Sequence, residues 1–241
     1  MNKKRIAAVI LCVCIAAGVG GFAKTDAAVA ASNKKVYKVA IDAGHQAKGN
    51  YKREPIGPGA KTKKPKVSSG TQGAATKVPE SKLNLQIAKK LERELKKRGY
   101  KVYMVRRKQN VNISNKQRAQ RVNKSGADIY IRLHADAAGP KVKGVSALYP
   151  SKKNRYVKKL SGKSKKLSKC ILNNYCKSTK FNNRGLVKRD DLTGTNWSKV
   201  PVTLIEMGFM TNRLEDKKMQ KKSYQAKMVR GIANGVDQYF K

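Results

Sequence analysis

Histidine is almost missing from this sequence: His45 and His134 are the only two in 241 residues. Carboxylates are scarce as well, with 14 Asp and Glu against 56 Lys and Arg, for a formal net charge of +42. Any chemistry that needs imidazole or carboxylate must therefore draw on a short roster. Aromatic residues make up 6% of the chain, with a single tryptophan. None falls in a stacking pattern, which argues against a reader of single-stranded nucleic acid, since those rely on aromatic platforms beside their charge. Cysteine is rare too. Cys12 and Cys14 lie near the N-terminus, leaving Cys170 and Cys176 for the body of the protein. Six positions apart on a helix they would be separated by about 9 Å of rise, beyond the roughly 7 Å that a disulfide spans between Cα atoms. They are expected as free, buried thiols, so the fold must rest on its core.

The N-terminus reads as an address. Lys3-Lys-Arg5 is a positive n-region, Ile6 to about Phe22 is apolar and small, and Ala28-Val-Ala30 offers a cleavage site. Residues 1–30 are expected to be a secretory signal peptide, with an uncleaved membrane anchor as the alternative. The chain would then be secreted or associated with the cell wall. Outside a cell a strongly basic protein meets wall polymers and lipid headgroups, and its charge draws it to such anions over a range that salt shortens. A signal peptide speaks against nucleic acid as the partner. The lysines are spread over every segment, which describes a basic surface facing anionic wall polymers more than a dedicated module. The remaining length suits one domain, and a monomer is expected.

Strands alternate with helices along that domain. Val36–Ile41, Tyr100–Val105, Asp128–Leu133, Gly144–Tyr149 and Val200–Ile205 read as strands, with a short strand and turn over Arg184–Leu192. Leu83, Ile87, Ala88, Leu91 and Leu95 recur at helical spacing before Gly99, and Ser114 with Gln117 makes a capping box for a helix through Val122. Residues 152–176 are expected as one helix with Tyr156, Leu160, Leu167, Ile171 and Tyr175 inward, and residues 214–240 as closing helices. The pattern predicts a single α/β domain over residues 35–241, a mixed sheet with helices on both faces. Residues 46–79, punctuated by Gly and Pro, have no periodicity and are expected as a long loop, either a substrate-facing flap or a floppy insertion.

Three strands end in functional groups. Val39-Ala-Ile-Asp-Ala-Gly44 runs into His45, Asp128-Ile-Tyr-Ile-Arg-Leu133 into His134, and Val202-Thr-Leu-Ile into Glu206. Open α/β sheets bind ligands beyond the carboxyl ends of their strands, and a carboxylate at the end of a buried strand is costly unless it is paired or used. Two histidines supply two of the three protein ligands of a catalytic zinc. Glu80, Glu54, Asp42 and Asp136 contend for the third; Asp42 and Asp136 could instead orient a histidine ring from behind.

Asp42-Ala-Gly-His45, Glu80 with Asn84-Leu85, Arg132-Leu-His-Ala-Asp136 and Ile205-Glu-Met-Gly-Phe-Met-Thr-Asn212 resemble the motifs of the zinc-dependent N-acetylmuramoyl-L-alanine amidases, in the family's order. The resemblance covers roughly Lys35 to Phe240. It implies a phosphorylase/hydrolase-like α/β fold, zinc held by His45, Glu80 and His134, and Glu206 as the catalytic carboxylate. It further implies peptidoglycan as substrate, cleaved between N-acetylmuramic acid and the L-alanine of the stem. The chain departs from the family in carrying Ala43 where members more often have Pro, and Asp136 where they more often have Asn. Asn196 and Trp197 are expected either to line the substrate groove or to serve core or surface packing. The competing readings are another zinc-dependent amide hydrolase, such as a peptidase or deacetylase, and a non-enzymatic basic wall-binding protein.

Overall fold

The computed structural model describes residues 35–241; the expected signal segment, residues 1–30, lies outside the described residues. Among those described, no helix is long and apolar enough to cross a membrane. Eight strands and six helices follow one another: β1 (Lys38–Ala43), β2 (Asn50–Pro55), β3 (Lys63–Val67), α1 (Glu80–Lys97), β4 (Lys101–Met104), α2 (Asn115–Lys124), β5 (Ile129–Asp136), β6 (Val145–Tyr149), α3 (Ser161–Thr179), β7 (Asn183–Lys188), α4 (Thr193–Asn196), β8 (Val202–Phe209), α5 (Arg213–Gln220) and α6 (Lys222–Phe240). Six strands form one sheet in the order β4-β1-β5-β8-β6-β7. It is mixed, as expected, because β6 runs antiparallel to β8 while its other pairings are parallel.

Alternation along the central strands sorts the sheet into two faces. Ile129, Ile131, Leu133 and Ala135 of β5, with Val39 and Ile41 of β1 and Ile205 and Met207 of β8, join the main core with α1, α3 and α6. The opposite face carries Ala40, Tyr130 and Val202, covered by Ala119 and Val122 of α2. Arg132, His134, Leu204 and Glu206 share that second face by the same alternation. Near the strand ends it is left open, and there the site forms.

The expected start of α2 holds. The side chain of Ser114 accepts from the Gln117 amide while Gln117 returns a bond to the Ser114 amide, closing the capping box. Both Cys170 and Cys176 are free. Two expectations fail. Residues 46–79 are not a structureless loop: they contain the antiparallel hairpin β2–β3. Its strands, Asn-Tyr-Lys-Arg-Glu-Pro and Lys-Lys-Pro-Lys-Val, are polar and interrupted by proline, so no apolar alternation announces them. The helix expected from residue 152 begins only at Ser161, after a 3-10 turn over Lys158–Leu160. Asn154 explains the delay, since its side-chain oxygen accepts from the amides of Tyr156 and Val157 and offers the chain a turn in place of a helix. Leu167, Ile171 and Tyr175 are buried as expected, whereas Tyr156 and Leu160 lie before the helix and are only partly buried.

Candidate active site

His45 follows β1 in the left-handed region, with φ of 60°. That turn aims its ring back over the sheet, where Nδ1 meets the carbonyl of Ser68 at 2.9 Å, just past β3. An Nδ1–H donated there leaves Nε2 as the free lone pair. His134 lies within β5, not at its end, because the strand runs on to Asp136. Gly44 is required beside it: a Cβ at that position would come within 2.4 Å of the His134 ring. Glu80 opens α1, and its carboxylate is held from three sides. Oε1 accepts from Asn84 Nδ2 and the Ala135 amide, each at 3.1 Å, and Oε2 accepts from the Thr71 amide at 3.1 Å.

Three lone-pair atoms now converge. His45 Nε2 lies 3.1 Å from Glu80 Oε1, His134 Nδ1 lies 3.2 Å from the same oxygen, and the two imidazole nitrogens are 3.1 Å apart. Zinc bonds of about 2.0–2.1 Å in tetrahedral geometry place neighbouring ligand atoms about 3.3 Å apart. The triangle fits a zinc ion on its edge lengths alone. The charge states fit too. Burial first, with His45 close by, pushes the His134 imidazole down to about 4 despite the opposing pull of Glu80, so it is neutral at pH 7. Burial would raise the Glu80 carboxyl, but its contacts with His134 and His45 hold it well below the ordinary carboxylate range. The neutral His134 imidazole, the His45 imidazole and one carboxylate form a donor set that suits a divalent cation.

Glu206 pairs in register with His134 on the neighbouring strand β8, which sets the two Cα atoms about 4.8 Å apart. Its Oε2 is buried with no partner among the described residues. Burial, then the nearby charges of Glu80 and Asp136, pushes its carboxyl well above the ordinary value against the pull of Arg132 and Arg189. A cation in the triangle would lower it again.

The other contenders for the third ligand are engaged elsewhere. Glu54, on β2, accepts from the Lys116 amide at 2.9 Å and so anchors the hairpin to the first turn of α2. Asp42 bonds neither histidine: it is fully buried and faces Arg118 at 2.6 Å, Tyr130 at 2.9 Å and Arg132 at 3.3 Å. Asp136 turns back onto the Ala137 amide. The groove expectation for Asn196 and Trp197 is not met. Asn196 is 1% exposed and satisfied internally, donating to the Asp190 carbonyl and accepting from Asn154. Trp197 gives its Nε1–H to the Pro55 carbonyl and stacks under Lys116. Both hold the wall of the groove from behind.

That groove, of about 210 Å³, passes between the hairpin (Lys64, Pro65, Val67, Ser68) and the Asp191–Thr193 segment, with Asn115, Arg132 and both histidines as its floor. Lys64 reaches Asp191 across it at 2.5 Å. Sequence reasoning gave no role to Lys64, Ser68, Asp191 or Arg132. The first three sit in segments without periodicity, while Arg132 stood inside a recognised motif.

The family described as N-acetylmuramoyl-L-alanine amidase matches residues 39–238. Among solved structures, an N-acetylmuramoyl-L-alanine amidase from Clostridium difficile 630 is 30% identical, with a TM-score of 0.69 over 85% of this chain and 97% of that one. The N-acetylmuramyl-L-alanine amidase Ami1 of Mycobacterium abscessus is 22% identical, with a TM-score of 0.77 over 85% and 99% of the two chains. The catalytic domain of CwlV from Bacillus (Paenibacillus) polymyxa var. colistinus is 24% identical, with a TM-score of 0.68 over 85% and 98%. The last two likenesses carry the fold.

Proposed function

The chain belongs to the N-acetylmuramoyl-L-alanine amidase family, and from that premise we propose that His45, Glu80 and His134 hold a zinc ion while Glu206 moves the proton of the reaction. The activity is hydrolysis of the amide joining N-acetylmuramic acid to the L-alanine of the peptidoglycan stem. The observation that carries the assignment of roles is the triangle of donor atoms with edges of 3.1–3.2 Å, beside a buried carboxylate oxygen that has no partner among the described residues.

When bound, zinc supplies Lewis acidity, which polarises a carbonyl and lowers the pKa of water to about 7. The protein's own residues do the rest. Ser68 fixes the tautomer of His45 by taking its Nδ1 proton in a hydrogen bond. Asn84, Ala135 and Thr71 hold Glu80 in one orientation. Glu206, as carboxylate, accepts the proton of the attacking water at Oε2 while the oxygen adds to the lactyl carbonyl carbon. It then gives that proton to the amide nitrogen, which leaves as the amine of L-alanine when the C–N bond breaks. Without this delivery an amide nitrogen is a poor leaving group.

Secretion through the N-terminal segment would bring the enzyme to its substrate, and its basic surface would hold it on anionic wall polymers. The Lys3-Lys-Arg5 start and apolar run support the first, and the charge of +42 the second. Mass spectrometry of digested sacculi tests the bond assignment. Free stems beginning with L-alanine and glycan strands carrying intact lactyl carboxylates are the expected products. Cleavage within the stem, or loss of acetyl groups, would identify a different zinc hydrolase.

A further inference from the structure

Arg132 stands two residues before His134 on the same face of β5, and the proton and metal chemistry above makes no use of it. Its side chain is 4% exposed and lies on the floor of the groove. Nε faces Asp42 at 3.3 Å and Nη2 donates to Asn115 Oδ1 at 2.8 Å. Nη1 has no acceptor among the described residues. Asp42 cannot neutralise this arginine alone, because its closer contact is the 2.6 Å pair with the fully buried Arg118. Two buried guanidinium groups therefore share one carboxylate, an arrangement that is costly unless another anion completes it. The arginine lines the groove beside Thr193 and Leu204. Gly194 lies against it so closely that a Cβ there would come within 2.5 Å of Cζ. The other charged groups facing the groove answer one another. Lys64 pairs with Asp191 at 2.5 Å, and Asp191 is also gripped by Arg189 at 2.7 Å.

We propose that Arg132 is a specificity-determining residue that binds the free α-carboxylate of the second stem residue, a γ-linked glutamate, and so selects stems in which that carboxylate is not amidated. The proposal rests on the amidase reading, which brings the stem into this groove. Two residues along a strand separate Cα atoms by about 7 Å, and a stem residue spans at most about 3.6 Å. A group one or two residues beyond the scissile amide therefore falls within reach of Arg132 when the amide is at the histidines. The muramyl side of the bond offers no rival, since its lactyl carboxyl is the acyl half of the amide being cleaved. A carboxylate presents two charged oxygens to a planar guanidinium; a carboxamide presents one neutral acceptor and a donor that the arginine cannot use.

The test compares two synthetic substrates, N-acetylmuramoyl-L-alanyl-D-isoglutamate and its isoglutamine counterpart, with the zinc-loaded full chain. The γ-carboxyl of every compound used is capped as a methylamide, as the stem's own linkage caps it, so that only the α-group differs. Calorimetric binding of the two dipeptides alone, L-alanyl-D-isoglutamate and L-alanyl-D-isoglutamine, gives a readout independent of turnover. The wild-type protein is expected to favour the carboxylate about 10- to 100-fold in kcat/KM, the size of a charge-assisted hydrogen bond, with the same sense in dipeptide affinity. Arg132→Gln should bring both ratios to about one, and Arg132→Lys should retain part of the preference. Equal rates and equal affinities in the wild type would overturn the proposal and leave the amidase intact; that comparison needs no variant to fold. A preference that survives Arg132→Gln would assign the carboxylate to another residue and overturn it as well. Discrimination between the dipeptides without cleavage of either muramyl substrate would uphold the pocket and contradict the amidase reading.

Discussion

Glu206 shows how one side chain can be wrong for stability and right for chemistry. Its carboxyl is raised by burial and by the charges of Glu80 and Asp136. A group whose folded pKa lies above its unfolded value contributes stability below the unfolded pKa of about 4.3 and loses it as pH rises. In the metal-free protein Glu206 is thus a liability at neutral pH. Glu206→Gln, which keeps the shape and removes the ionisation, should raise the denaturation midpoint of the metal-free protein at pH 7–8 and leave it nearly unchanged at pH 4. A variant less stable than wild type at both pH values would show that the carboxylate has a stabilising partner. Arg132 raises the same issue with the opposite charge: a buried cation keeps a free donor on the floor of the groove. Side chains placed against their own solvation, and held there by a well-packed sheet, mark where binding or chemistry occurs.

The elements explain what the chain discloses about itself and what it conceals. Strands β1, β5 and β8 are rich in Val, Ile, Leu and Ala, so their existence was legible, and with it His45, His134 and Glu206 as the groups their apolar stretches run into. Helix α1 was equally plain from its spacing and from Gly99, whose φ of 86° closes it. The wall of the groove was not legible, because β2 and β3 are ordered by tertiary contacts and not by their own pattern. Glu54 ties the hairpin to α2 and the Pro55 carbonyl ties it to Trp197; both partners are more than 60 residues distant. The packing roles of Glu54 and Trp197 were not legible for that reason. Glu54→Ala should remove a carboxylate from the first turn of α2 and cost about 1 kcal/mol, lowering Tm by about 2–4 °C in a domain of this size. Zinc stoichiometry should remain at one per chain. A loss of zinc with Glu54→Ala would return it to the list of ligands.

For the whole molecule, the formal charge of +42 is proposed to hold the enzyme on anionic walls, and three strands and one helix start to carry its chemistry. Association with walls should weaken steeply as salt rises, since exposed charges are screened beyond about 8 Å at physiological ionic strength. At low salt, walls stripped of anionic polymers should bind less protein than intact ones; equal binding would contradict an electrostatic attachment. The proposed catalysis needs both halves of the site, the triangle that would hold the metal and the carboxylate beside it. The direct test is hydrolysis of purified sacculi by Glu206→Gln, measured on protein whose zinc content has been determined. General acid–base catalysis contributes about 10²–10⁴-fold, so the account predicts release of L-alanyl stems reduced by at least that order at one zinc per chain, with no recovery on adding metal. Wild-type rates at full occupancy, or activity restored by excess zinc, would contradict it.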